Sequence, residues 1–131
     1  MKLDVVVPTY NRSGLLRLTI SSLLQAPIPA GLEVTVLIVD NNSKDDTEQV
    51  VRQIQSETSR SLVYVKETSQ GLSHARNAGI RAGSGDLIGF IDDDEEIDKN
   101  WYSVVAREFN EPAIQFIGGP YLPNWTAPAP A

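Results

Sequence analysis

Four short apolar runs rich in β-branched residues, separated by stretches of helical periodicity, constrain this chain more than any other feature. Leu3 to Val7, interrupted by Asp4 and closed by Pro8, reads as a strand buried on both faces. Val34 to Val39 is a second such run, ending at Asp40, Leu62 to Val65 is a shorter third, and Leu87 to Ile91 is a fourth. Between them lie helical patterns. Ser13 can cap a helix carrying Leu16, Ile20, Leu23 and Leu24, which Pro27 and Pro29 stop. Asp45 or Asp46 can start one with Val50, Val51 and Ile54 on a single face. Ala75, Ala78, Gly79 and Ala82 recur at helical spacing between Leu72 and Ala82, and are small enough to lie close against a sheet. Trp101, Val104, Val105 and Phe109 suggest a last helix, and Ala113 to Ile117 a fifth strand, ended by Gly118-Gly119-Pro120.

Strand and helix in this rhythm predict an α/β fold, a mostly parallel twisted sheet with helices on both faces and right-handed crossovers. In such sheets ligands bind beyond the carboxyl ends of the strands, where the strand order reverses. The polar clusters sit at those ends: Pro8-Thr9-Tyr10-Asn11-Arg12 after the first strand, Asp40-Asn41-Asn42-Ser43 after the second, Asp92-Asp93-Asp94 after the fourth. One domain is expected over residues 1–122. The Pro- and Ala-rich tail, 123–131, has no periodicity and is expected to be disordered or a cut end.

Charge narrows the partners. The 131 residues carry 11 Lys plus Arg against 17 Asp plus Glu, a net −6, which argues against a surface built to neutralise nucleic-acid phosphates. Asp92, Asp93, Asp94, Glu95, Glu96 and Asp98 account for that excess within one stretch. With no Cys, a bound metal would be held by oxygen. The N-terminus lacks the basic region and long apolar run of a signal peptide, and no run approaches the roughly 20 residues of a membrane helix. The expected location is the cytoplasm, free or peripheral at the inner membrane face.

No GxGxxG follows the first strand and no GxxxxGK[ST] occurs, so simple dinucleotide binding and P-loop hydrolysis are not expected. A phosphoryl-transfer receiver would need acids after the first strand, where Tyr10-Asn11-Arg12 stands instead. Carboxylates directly after Ile88-Gly89-Phe90-Ile91 are held by the sheet and can grip Mg²⁺ or Mn²⁺, whose shells are completed by substrate phosphates and water. Glu95, Glu96 and Asp98 read as a solvated acidic turn leading into the next helix.

Val7-Pro8-Thr9-Tyr10-Asn11-Arg12, Val39-Asp40-Asn41-Asn42-Ser43 with Asp45 and Asp46, Gly71-Leu72-Ser73 with Ala75-Arg76-Asn77-Ala78-Gly79, and Phe90-Ile91-Asp92-Asp93-Asp94 together resemble the family 2 glycosyltransferases of GT-A fold. The resemblance runs from residue 3 to about residue 120. It implies a Rossmann-like donor-binding half of an enzyme that transfers a sugar, with inversion, from a nucleotide diphosphate to an acceptor hydroxyl, using Mn²⁺ or Mg²⁺. A UDP-sugar is the favoured donor. By resemblance Pro8, Thr9 and Tyr10 border the base, with Tyr10 stacking on it or packing half-buried, and Arg12 lies beside this pocket. Asp40 matches the acid that hydrogen-bonds the base, or else caps a turn; Asn42 and Ser43 are turn residues. Arg76 approaches base or phosphates, or lies on the surface. Asp92 contacts the ribose or metal region, Asp94 binds the cation, and Asp93 borders the donor.

The family's general base lies well beyond its donor half, and Glu108 and Glu111 are too close to match it. The base is therefore expected outside this chain, leaving it inactive in transfer by itself and inclined to self-associate through an uncovered sheet edge. A non-catalytic nucleotide-binding or interaction module is the alternative.

Overall fold

The computed structural model of the chain describes residues 1–125 and 127–130. Strands and helices alternate as β1 (Lys2–Thr9), α1 (Ser13–Gln25), β2 (Glu33–Asp40), α2 (Thr47–Glu57), β3 (Ser61–Lys66), α3 (Leu72–Ala82), β4 (Leu87–Phe90) and α4 (Trp101–Glu108). The strands form one parallel sheet in the order β3-β2-β1-β4. The chain moves outward from β1 through β2 to β3, then returns across β1 to place β4 on its other side. With crossovers of one hand, that reversal sends the third helix to the opposite face. Accordingly α1, α2 and α4 pack on one face and α3 on the other.

β1 and β2 pair from Lys2 opposite Glu33 to Thr9 opposite Asp40, so their polar ends finish level. Pro8, expected to close β1, sits inside it. Alternate residues of a parallel strand bond to opposite neighbours, and the Val6 carbonyl accepts from Ile91 while the Thr9 carbonyl accepts from Asn41. Pro8 thus faces the β4 side, past the last ladder pair Val6–Phe90, where its missing N–H leaves no bond unmade.

Leu3, Val5, Val7, Val36, Ile38 and Leu62 meet Leu16, Ile20 and Leu23 of α1, Val51 of α2 and Val105 of α4 in the larger core. Tyr102 is buried there with its hydroxyl donating to the Leu23 carbonyl at 2.9 Å, and burial pushes its pKa up to about 12. On the opposite face Val6, Leu37 and Val39 meet Ala75 and Ala78 of α3. The small residues have the expected purpose, since a Cβ on Gly79 would collide with the buried Val6 side chain and lie 3.2 Å from Val39.

Two further expectations change. Ser13 is the first residue of α1 rather than its cap; Arg12 holds the cap position, and the Ser13 hydroxyl donates to Asp46 at 2.5 Å. The fifth strand over 113–117 is absent, because the chain leaves α4 in local turns (Glu111 to Glu108, Ile114 to Glu111) and finds no ladder partner. Phe116 is consequently 87% exposed. Of the tail, the described residues 123–125 and 127–130 form no helix or strand, while Thr126 and Ala131, included in the expected disordered segment, lie outside the described residues.

Gly79→Ala is expected to cost about 1–3 kcal/mol through overpacking against the sheet. Urea denaturation should show a lower midpoint with an unchanged slope.

Candidate functional site

The ends of β1 and β4 are fastened by one carboxylate. Asp93 is 7% exposed, and a buried charge needs hydrogen-bond partners. Its Oδ2 accepts the Thr9 hydroxyl at 2.9 Å and its Oδ1 lies 3.3 Å from Arg12 Nη1. The Asp93 carbonyl accepts the Thr19 hydroxyl of α1, also at 2.9 Å. Asp92 and Glu95 close the same turn from both sides: the Glu95 N–H donates to the Asp92 carbonyl, and the Glu95 carboxylate accepts the Asp92 N–H. Burial, then the charges of Asp92 and Asp94, hold the Glu95 carboxyl above its usual range against the lowering effect of that N–H. Asp92 and Asp94 remain half-exposed, facing Arg76 Nη2 at 4.0 Å and Arg12 Nη1 at 3.6 Å.

The loops after β1 and β2 are stitched together. Asn11 and Asn42 adopt left-handed backbone, at φ 51° and 67°, a conformation Asn tolerates better than most residues. The Asn11 N–H donates to Ser43 Oγ, and Asn11 Oδ1 accepts the Lys44 N–H. Burial raises Asp45, yet hydrogen bonds from Thr47 and Ser13 outweigh it and keep this carboxyl below its usual range.

Asp40 is committed inward. One oxygen accepts the Tyr64 hydroxyl at 2.6 Å and the other the Ser43 N–H at 2.9 Å. Burial first, then this bond to Asp40, raises the Tyr64 pKa well above its ordinary value, so Tyr64 remains a donor. The neighbouring Asn41 is the residue that sequence reading passed over. Its amide nitrogen donates to the Glu67 and Ser69 carbonyls at 3.1 and 2.7 Å, and its oxygen accepts the Gly71 N–H at 2.9 Å. Gly71, at φ 134°, can enter α3 in a conformation closed to residues with a side chain. The pattern Asp-Asn-Asn carried the signal, but two neighbouring amides cannot be told apart without knowing which one faces inward.

Pro8, Thr9, Tyr10, Arg12, Asn41, Gln70, Gly71 and Asp92 to Asp94 surround one open cleft of about 520 Å³. It lies between β1 and β4, where the strand order reverses, as such sheets favour, and its size suits a small ligand. The expected residues Pro8, Thr9, Tyr10, Arg12, Asp92, Asp93 and Asp94 therefore come together. Asp40 stands behind the cleft wall instead of lining it, and Arg76 stands at the edge with its guanidinium 5.7 Å from the Phe90 ring centre. Arg76 Nε is buried without a hydrogen-bond partner, an orphaned donor beside the cleft. A second depression, between α1 and α2, is lined by Ile20, Leu24 and Ile54 and lies away from these groups.

Among the described residues no three acids converge as a closed metal cage. Asp92 and Asp94 instead offer an open, all-oxygen pair beside free space. One or two carboxylates completed by phosphate and water is the set that Mg²⁺ takes, so the donor chemistry fits a hard divalent cation.

The model of glycosyl transferase family 2 matches residues 4–128, and the chain belongs to that family. A Campylobacter jejuni relative, GalNAc(5)-diNAcBac-PP-undecaprenol beta-1,3-glucosyltransferase, is 32% identical over 111 residues, covering 84% of this chain and 35% of its own length. The solved structure of Staphylococcus aureus TarS 1-349 in complex with UDP superposes with a TM-score of 0.77 at 26% identity, over 92% of this chain and 38% of that one. Mannosyltransferase PcManGT from Pyrobaculum calidifontis, in complex with GDP-Man and Mn²⁺, gives 0.76 at 27% identity, over 86% and 33%. The sheet is accordingly that of the GT-A, Rossmann-like fold, and the chain spans about a third of the length of these three proteins. No helix among the described residues is long and apolar enough to cross a membrane.

Thr9→Val keeps the shape but removes the hydroxyl from the buried Asp93 carboxylate. A stability loss of about 1–3 kcal/mol is expected, largely restored by Thr9→Ser, as read by urea denaturation.

Proposed function

We propose that residues 1–122 are the donor-binding part of an inverting glycosyltransferase that holds a nucleotide diphosphate sugar for transfer to an acceptor hydroxyl. The observation that carries this reading is the single cleft at the switch point, where the ends of β1 and β4 bring Thr9 to Arg12 against Asp92 to Asp94. UDP-sugars are the favoured donors, a choice supported by the neighbours described with UDP and UDP-GlcNAc. Tyr10, 46% exposed at the cleft, offers its ring to the base, and Pro8 and Thr9 form the floor beside it. Asp40 acts on the base pocket indirectly, by fixing the turn at Ser43 while Tyr64 holds it in place.

Arg76, its guanidinium half-exposed beside Asp92 at the cleft edge, offers positive charge to the phosphates. Asp94, with Asp92, would hold Mn²⁺ or Mg²⁺, which when bound supplies positive charge for the departing diphosphate. Asp93 borders the donor while holding the turn that presents both ligands. None of Glu95, Glu96, Glu108 or Glu111 lines the cleft, which supports a general base outside these residues. Self-association is proposed through the edge strand β4, with the exposed Ile117, Tyr121 and Trp125 adding apolar surface.

Titration calorimetry with UDP tests the reading. Binding should strengthen on adding Mn²⁺, and Asp94→Ala should remove that dependence. Identical binding with Mn²⁺ and with excess chelator would contradict the metal assignment.

A further inference from the structure

Arg12 occupies a particular electrostatic position. Its guanidinium bridges the fixed carboxylate of Asp93 and the half-exposed carboxylate of Asp94, at 3.3 and 3.6 Å from the same nitrogen, Nη1. Asp93 has a second anchor, the Thr9 hydroxyl, and its turn is further held through Thr19 and Glu95. Asp94 makes no other ion pair among the described residues. Asn11 turns the chain just before Arg12, and the Arg12 carbonyl is bonded to Leu16 at the start of α1, so the base of the side chain is fixed while its head is half-exposed.

We propose that Arg12 is the resident counter-ion of the acidic turn, competing with a divalent cation for Asp94 and releasing it when a nucleotide diphosphate offers the guanidinium another anion. The inference rests on the metal reading above. A divalent ion sits about 2.1 Å from its carboxylate oxygens, and a guanidinium on the same carboxylate would be repelled by it. Cation entry therefore requires Arg12 to swing away from Asp94. The swing also gives up the Asp93 contact made by the same nitrogen, but the Thr9 hydroxyl still holds the Asp93 carboxylate and Thr19 its carbonyl, so the turn stays in place. An arginine fork pairs readily with phosphate oxygens, so the diphosphate can recover what the lost carboxylate contact cost. Cation and nucleotide then assist each other, and the coupling is reciprocal.

Manganese binding to the full chain, followed by the electron paramagnetic resonance signal of free Mn²⁺ with and without UDP, tests this in Arg12→Met, Arg12→Lys and Asp94→Asn. Without nucleotide, Arg12→Met should bind Mn²⁺ about three- to fivefold more tightly than the parent, the scale of a partly exposed ion pair, with Arg12→Lys between them. UDP should tighten Mn²⁺ binding by a larger factor in the parent than in Arg12→Met. Circular dichroism confirms that each variant is folded, and the Lys variant carries the test if the Met variant is not. Unchanged or weaker Mn²⁺ binding on loss of the guanidinium, with Asp94→Asn still reducing it, would overturn the counter-ion role and leave the metal reading standing. No Mn²⁺ binding by any of the chains, with or without UDP, would overturn both.

Discussion

Asp93 is a buried carboxylate on a loop, and the cleft depends on how its charge is satisfied. The Thr9 hydroxyl reaches it from the end of β1, Arg12 from the start of α1, and its own carbonyl receives Thr19 from within α1. Three parts of the chain are thereby registered on one residue that is 7% exposed. Low exposure makes the arrangement exacting, since a buried polar group deprived of its partner costs far more than an exposed one. With Asp93 turned inward, its neighbours Asp92 and Asp94 are left on the outer side of the turn, half-exposed and facing the cleft. The same bond that stabilises the loop thus also presents the two carboxylates available for chemistry.

The opposite wall is built by a neutral residue. Asn41 uses both ends of its amide on the connection between β3 and α3, fixing Gly71 and the start of the helix. α3 can come this close because Ala75, Ala78 and Gly79 face Val6 and Val39. Packing on the sheet face and the position of Arg76 at the cleft edge are therefore linked, as a bulkier stripe would lift the guanidinium away from Asp92 and Phe90.

Much of this was legible in the sequence because it depends on periodicity. Continuous β-branched runs marked all four strands, and the small-residue stripe marked α3 with bounds that match Leu72–Ala82. Polar clusters after the first and fourth strands marked the cleft. What was not legible depends on direction and partners. Asp40 and Asn41 are adjacent, and only the ladder decides that Asp40 turns toward Tyr64 while Asn41 reaches the 67–71 connection. Likewise the resemblance set Asp93 apart from Asp92 and Asp94, but nothing in the triplet itself shows that Thr9 claims the middle carboxylate. Ala113 to Ile117 has strand-like composition, but a strand exists only with a ladder partner, and local turns after α4 prevail there. Pro8 misleads for the complementary reason, since its neighbouring ladder has already ended.

The central claim is that the donor's diphosphate and its cation sit between the ends of β1 and β4. Paramagnetic broadening of backbone amide signals by Mn²⁺ in the presence of UDP measures this most directly. The expected result is loss of signals from Thr9 to Arg12, Gly71 to Leu72 and Asp92 to Asp94, with the amino ends of the strands around Glu33 and Asp86 unaffected. Broadening centred instead on Ile20, Leu24 and Ile54, in the depression between α1 and α2, would contradict it.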